Sequence, residues 1–156
     1  MHRNTCCFFG HRNTNKTEQL KSKLIEVIEN LIVDKQVNTF LFGSKSCFNS
    51  LCVEVTTEMK EKYPHIKRVY VRAEYPNISE EYKNYLLENY DDTYYPERII
   101  NAGKAAYIER NCEMIDKSYY CVVYYNKRYV PTTRKSGTKI ALEYAMKKSK
   151  NIINVL

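Results

Sequence analysis

Short apolar runs that stop abruptly, each followed by a stretch with helical spacing, constrain this chain more than any other feature of its sequence. Thr5–Phe9 ends at Gly10, and Thr39–Phe42 ends at Gly43. Lys67–Ala73, Tyr119–Tyr125 and Asn151–Val155 have the same β-branched and aromatic content. Between the first two runs, Leu20, Leu24, Val27, Ile28, Leu31 and Ile32 recur at helical spacing, and Asn15 with Glu18 has the form of a capping box. Further helices are expected over 48–63, 79–89, 102–117 and 137–149, and the segment 76–103 is expected to end in a loop. Strands alternating with helices, the strands apolar on both faces, imply an α/β fold. Its sheet should be mainly parallel, covered on both sides, with about five strands.

At 156 residues the chain is expected to form one domain, 1–156. Folding at this length buries about 70% of the unfolded chain's surface, enough for a core without disulfides or a structural metal. Only four glycines and four prolines exclude collagen-like and turn-dense all-β chains. The formal charge of +7 is unevenly spread. Residues 126–156 carry eight basic side chains (Lys127, Arg128, Arg134, Lys135, Lys139, Lys147, Lys148, Lys150) against Glu143 alone, so the rest of the chain is neutral. Such a cluster suits an anion, and it equally suits a solvated helix face.

Six cysteines include no C-x-x-C pair, and His2, His11 and His65 do not stand at zinc-ligand spacing. Neither a metal nor a resident cofactor is expected. Cys47, Cys52, Cys112 and Cys121 are expected in the core, and vicinal Cys6 and Cys7 on opposite faces of a strand. No apolar run approaches a membrane span or a signal-peptide core, so a reducing, cytoplasmic setting is expected.

In open parallel sheets, ligands bind beyond the carboxyl ends of the strands. Those ends carry Gly10-His11-Arg12, Gly43-Ser44-Lys45-Ser46 and Tyr125-Asn126, and Ser136-Gly137-Thr138 opens the helix that follows. Glycine, a helix start, basic side chains and hydroxyls are together the chemistry of phosphate binding. Each also has a bland reading: His11 in a surface turn, Ser44 and Ser46 as helix caps, Lys45 solvated. Neither G-x-G-x-x-G nor G-x-x-x-x-G-K-[ST] occurs, which argues against dinucleotide and P-loop sites. The expected partner is a phosphorylated small molecule.

The GHR start, FGS after the second run, Tyr107-Ile-Glu-Arg-Asn-Cys-Glu-Met-Ile-Asp, the strand YYCVVYYN and SGTKIALEYA together resemble the SLOG superfamily. That Rossmann-like class includes the cytokinin-activating phosphoribohydrolases and the DNA-processing DprA proteins. The resemblance spans Thr5 to Val155 and implies a Rossmann-like three-layer fold, a nucleotide or nucleotide-derived ligand, and a homo-oligomer. In the phosphoribohydrolase branch a catalytic arginine lies in an E-R-K-x-x-M-like helix, matched here by Glu109-Arg110-Asn111 and Met114. Its glutamate partner, in P-G-G-x-G-T-x-x-E, is matched by Ala141, and Glu143 lies two residues on, about 200° around a helix.

The leading expectation is therefore a module that binds an ADP-ribose-like or cyclic nucleotide signal. The alternative is N-glycosidic hydrolysis of a nucleoside monophosphate, with Arg110 and Glu109 or Glu143. Arg110 could otherwise pair with Glu113 or Asp116, and Asp116 could bind a ribose or its own helix end. Tyr94, Tyr95 or Tyr125 could stack on a purine. Single-stranded nucleic acid ranks last, because the tyrosines and lysines are not interleaved.

Overall fold

The computed structural model describes residues 3–12, 14, 15, 17–126 and 137–156. In chain order the elements are β1 (Thr5–Gly10), α1 (Glu18–Val33), β2 (Thr39–Phe42), α2 (Cys47–Lys62), β3 (Lys67–Val71), α3 (Glu80–Leu86) and β4 (Asp92–Tyr94), followed by α4 (Ala106–Asp116), β5 (Tyr120–Tyr124), α5 (Gly137–Lys147) and β6 (Asn151–Asn154). Short 3-10 turns at Glu97–Ile99 and Gly103–Ala105 lead into α4. The strands form one parallel sheet in the order β4-β3-β2-β1-β5-β6.

Period-two alternation sorts the core into two layers around this sheet. Cys6, Phe8, Phe40, Phe42, Tyr70 and Val122 face α1 and α2, where they meet Leu24, Ile28, Phe48 and Val55. Cys7, Phe9, Leu41, Val71, Cys121 and Val123 face α4 and α5, against Met114, Ile115, Ala141 and Ala145. The fold is thus three-layered and Rossmann-like. Vicinal Cys6 and Cys7 do diverge, and the Sγ of Cys7 lies 3.6 Å from that of Cys121 on the neighbouring strand. All six cysteines are free thiols; Cys47 is half-buried and the others are buried.

The sheet has six strands rather than about five. The addition is β4, in the stretch expected to be a loop. Three residues with an acid at their start carry no strand signature, so long-range bonds must hold them. The Asp91 carboxylate accepts the Arg68 backbone N–H at 2.8 Å and Nε at 3.1 Å, and Thr93 Oγ1 donates to the Tyr70 carbonyl at 2.8 Å. Burial alone would raise the Asp91 carboxyl, but the bonds from Arg68 outweigh it and hold it below its ordinary value.

Two helix starts also differ from expectation. The cap of α1 is Thr17, whose side chain accepts the Leu20 N–H at 3.0 Å, in place of the Asn15–Glu18 box. Helix α4 begins at Ala106 because Gly103, at φ +59°, bends the chain just before it. No helix among the described residues is long and apolar enough to cross a membrane.

Candidate functional site

The strand order reverses direction at β1, whose neighbours are β2 and β5, so the carboxyl ends of these strands open the crevice where such sheets hold ligands. Two junctions there carry glycine, and they are built differently.

At the end of β1, a Cβ on Gly10 would lie 2.5 Å from the Phe48 ring. Glycine is needed for close packing of α2 on the strand. His11, 6% exposed, then bridges two strand ends. Its backbone N–H donates to the Tyr124 carbonyl at 3.2 Å, and its Nε2 accepts the Asn126 N–H at 2.9 Å. An accepting Nε2 assigns the neutral tautomer with the proton on Nδ1. Burial pushes this imidazole below its ordinary value, in keeping with that assignment. The Tyr125 ring lies 5.3 Å from it, and Asn154 pins the Tyr125 backbone through bonds of 3.2 and 3.0 Å. Arg12 is exposed beside this junction, and its carbonyl accepts the Cys47 N–H at 3.0 Å.

At the end of β2 the filler is a cation. Helix α4 seats Met114 and Ile115 on the sheet, and one turn earlier the same face carries Arg110 across the strand end. A Cβ on Gly43 would lie 2.6 Å from both Arg110 Cδ and Met114 Sδ, so glycine here makes room for the arginine. Arg110 is 3% exposed. Its Nη1 donates to the Gly43 carbonyl, its Nε donates to Asn111 Oδ1 at 3.0 Å, and its Cζ lies 5.6 Å from the Tyr107 ring centroid.

No carboxylate among the described residues forms an ion pair with Arg110. The acids on its own helix are committed elsewhere. Glu113 accepts the Tyr94 hydroxyl at 3.0 Å; Asp116 accepts Arg98 at 2.7 Å and the Tyr144 hydroxyl at 2.9 Å; Glu109 accepts Arg98 at 3.2 Å. Burial lowers the Arg110 guanidinium from its ordinary value, and the nearby Tyr70, Glu74 and Tyr107 partly offset this.

Around these junctions Ser46 caps α2, accepting the Asn49 N–H at 3.1 Å, while its Oγ lies 3.0 Å from that of Ser44. Lys45 is exposed. On α5, Thr138 is buried, and Gly137 is exposed with open space where a Cβ would stand. Ser136 lies outside the described residues, as do Lys127, Arg128, Arg134 and Lys135 of the basic cluster. Ala141 and Ala145 turn α5 onto the sheet, which leaves Glu143 on the exposed side. Among the described residues no group of three His, Cys, Asp or Glu side chains could hold a metal ion.

Four residues outside the expected set complete this end of the sheet. Arg72, 8% exposed, donates to the carbonyls of Tyr75 (3.2 Å) and Pro76 (3.3 Å) and to Thr93 Oγ1 (3.1 Å), all neutral acceptors. Tyr70 Oη and Asn49 Oδ1 are buried without a hydrogen-bond partner, and Glu74 lies close enough to act electrostatically on both Tyr70 and Arg110. An arginine closing an apolar run was the one visible signal, at Arg72. Nothing local marks Tyr70 or Asn49 as polar groups destined for burial. Buried charge with only neutral partners is costly, and an anion placed against it offsets that cost.

The chain matches the YpsA family profile, described as the YspA SLOG family, over residues 3–156. No curated protein matches it. Among solved structures it is similar to the molybdenum cofactor carrier protein MCP from Chlamydomonas reinhardtii. The TM-score is 0.56 and the identity 12%, and the alignment covers 96% of this chain and 74% of that one. At that identity the likeness is one of fold.

Proposed function

The chain belongs to the YpsA SLOG family, and on that premise we propose that it binds a small phosphorylated ligand, a nucleotide or nucleotide derivative, over the carboxyl edge of its sheet. It acts as a sensor or sequestering module. The observation that carries this reading is Arg110: a buried guanidinium lying across a strand end, with a backbone carbonyl and an amide oxygen as its only hydrogen-bond acceptors among the described residues. Arginine stays protonated at neutral pH, and its planar fork presents paired donors to an oxyanion.

Binding is favoured over turnover by where the carboxylates stand. Ala141 faces the core at the position matched to the motif glutamate, Glu143 is on the exposed side of α5, and Glu109 is held by Arg98. A cofactor carrier of the same fold is consistent with a module that holds its ligand without transforming it. Calorimetric titration with AMP, ADP-ribose and a cyclic nucleotide tests the proposal. Saturable heat with at least one, lost in Arg110→Met, is the expected result. No heat with any of the three overturns it.

A further inference from the structure

The reading above leaves open which way a nucleotide lies along the rim. We infer that the base of a purine nucleoside monophosphate stacks on a tyrosine platform beyond β3, formed by Tyr75, Tyr82 and Tyr85, with its phosphate on Arg110 and its ribose hydroxyls toward Tyr70 and Glu74. The inference rests on the anion site at Arg110 and extends it to the base and the sugar.

Three observations carry it. The first is an aromatic surface turned to solvent. Tyr75 is 58% exposed and Tyr85 is 61% exposed. Both touch the half-buried Tyr82, Tyr85 stacked at 6.1 Å and Tyr75 edge-on at 6.4 Å. Tyr82 in turn packs against the apolar core. Aromatic faces held this way stack on bases with little preference for their identity, and a purine offers the larger face.

The second is rigidity. Arg72 grips the carbonyls of Tyr75 and Pro76 and is itself tied to Thr93, so the loop after β3 is fixed by a buried side chain. Pre-organisation of this kind lowers the ordering cost of binding.

The third is the order of the groups. Arg110 lies over the end of β2, and β3 is the adjacent strand, about 4.8 Å away. Tyr70, near the end of β3, has a buried hydroxyl without a partner, kept protonated by burial. Glu74 follows β3 and is within electrostatic reach of Arg110 and Tyr70, and Tyr75 is the next residue. Cation, then hydroxyl and carboxylate, then aromatic face is the order of phosphate, ribose and base in a nucleotide. A carboxylate accepts from the two ribose hydroxyls, and a phenol both donates and accepts.

The test is calorimetry of the full chain with AMP and with ribose 5-phosphate, which keeps the phosphate and sugar and lacks the base. AMP is expected to bind about tenfold or more tightly than ribose 5-phosphate. Tyr75→Ala is expected to weaken AMP about tenfold while leaving ribose 5-phosphate unchanged, and Tyr75→Phe to keep AMP affinity. Tyr75 is exposed, and a thermal melt checks that each variant folds as the parent does.

If Arg110→Met loses both ligands while Tyr75→Ala and Tyr85→Ala bind AMP normally, the platform is overturned and the anion site stands. A loss of AMP in Tyr125→Ala with none in Tyr75→Ala places the base over β5 and also overturns it. If neither ligand binds the parent chain, the platform is overturned, and the anion site stands or falls on the titrations with ADP-ribose and the cyclic nucleotide.

Discussion

The ends of β1 and β2 look alike in sequence, each an apolar run stopped by glycine and followed by basic and polar residues, yet they are filled by opposite chemistry. At Gly10 the space is taken by the Phe48 ring, and the next side chain, His11, is neutral and hydrogen-bonded to the neighbouring strand end. At Gly43 the space is taken by Arg110, a buried cation whose hydrogen-bond partners among the described residues are all neutral. The first junction is closed by packing and satisfied hydrogen bonds. The second is closed by a charge that an incoming anion would satisfy. A glycine at a strand end therefore signals a close approach without saying whether a ring or a cation makes it.

Arg110→Met should separate the two junctions most sharply. AMP affinity is expected to fall on the order of 100-fold, since charge-assisted hydrogen bonds contribute about 1.5–3 kcal/mol each. The urea midpoint should hold or rise, because an apolar chain of similar length replaces a buried charge with no ion-pair partner among the described residues. A marked loss of stability with affinity intact would make Arg110 a structural strut and erase the contrast.

The paired glycine variants come next. Gly10→Ala drives a Cβ into a fully buried ring and should cost about 1–3 kcal/mol in urea denaturation. Gly43→Ala meets a long side chain that can swing aside, so it should cost less stability and more AMP affinity. The reverse ranking would show that both glycines serve packing alone.

Two helix caps give a smaller test. Ser46→Ala and Thr17→Ala each remove a cap worth about 1 kcal/mol of stability. Only Ser46 lies in the loop that follows Gly43, so only its loss should also weaken AMP in calorimetry.

The smallest effect concerns His11, whose folded value is held below 6.5 by burial. Well above pH 6.5 both folded and unfolded states are neutral there, and His11 adds no pH dependence. As pH falls below 6.5 the unfolded chain takes up the proton first, so stability declines until the folded imidazole is protonated too. Melting temperatures from pH 8 to 5 should therefore fall less steeply in His11→Asn than in the parent chain. Equal slopes would remove His11 from the closure of the β1 end.

What was legible in the sequence follows local rules. Strand geometry placed Cys6 opposite Cys7, and helical spacing put Leu24 and Ile28 on the apolar face of α1. Alternating strands and helices called for a parallel sheet, and the glycines marked its rim. Arg72, which follows β3 and ties it to Thr93, was not among the expected site residues. Nor was β4 among the expected strands, because Asp92–Tyr94 is a strand only through bonds to Arg68, Tyr70 and Arg72.

The sequence by itself determined which faces Cys6 and Cys7 take, where β1 and β2 stop, and that a positive charge lies within an E-R-N-x-x-M helix. Only the tertiary structure decided that Arg110 crosses β2 while Glu113 and Asp116 of its own helix are held by Tyr94, Arg98 and Tyr144, and that Tyr70 Oη and Asn49 Oδ1 are buried without a hydrogen-bond partner. Periodicity is a property of neighbours along the chain and can be read from them. Desolvation and charge pairing depend on what distant segments bring to the same place, and no local pattern records that.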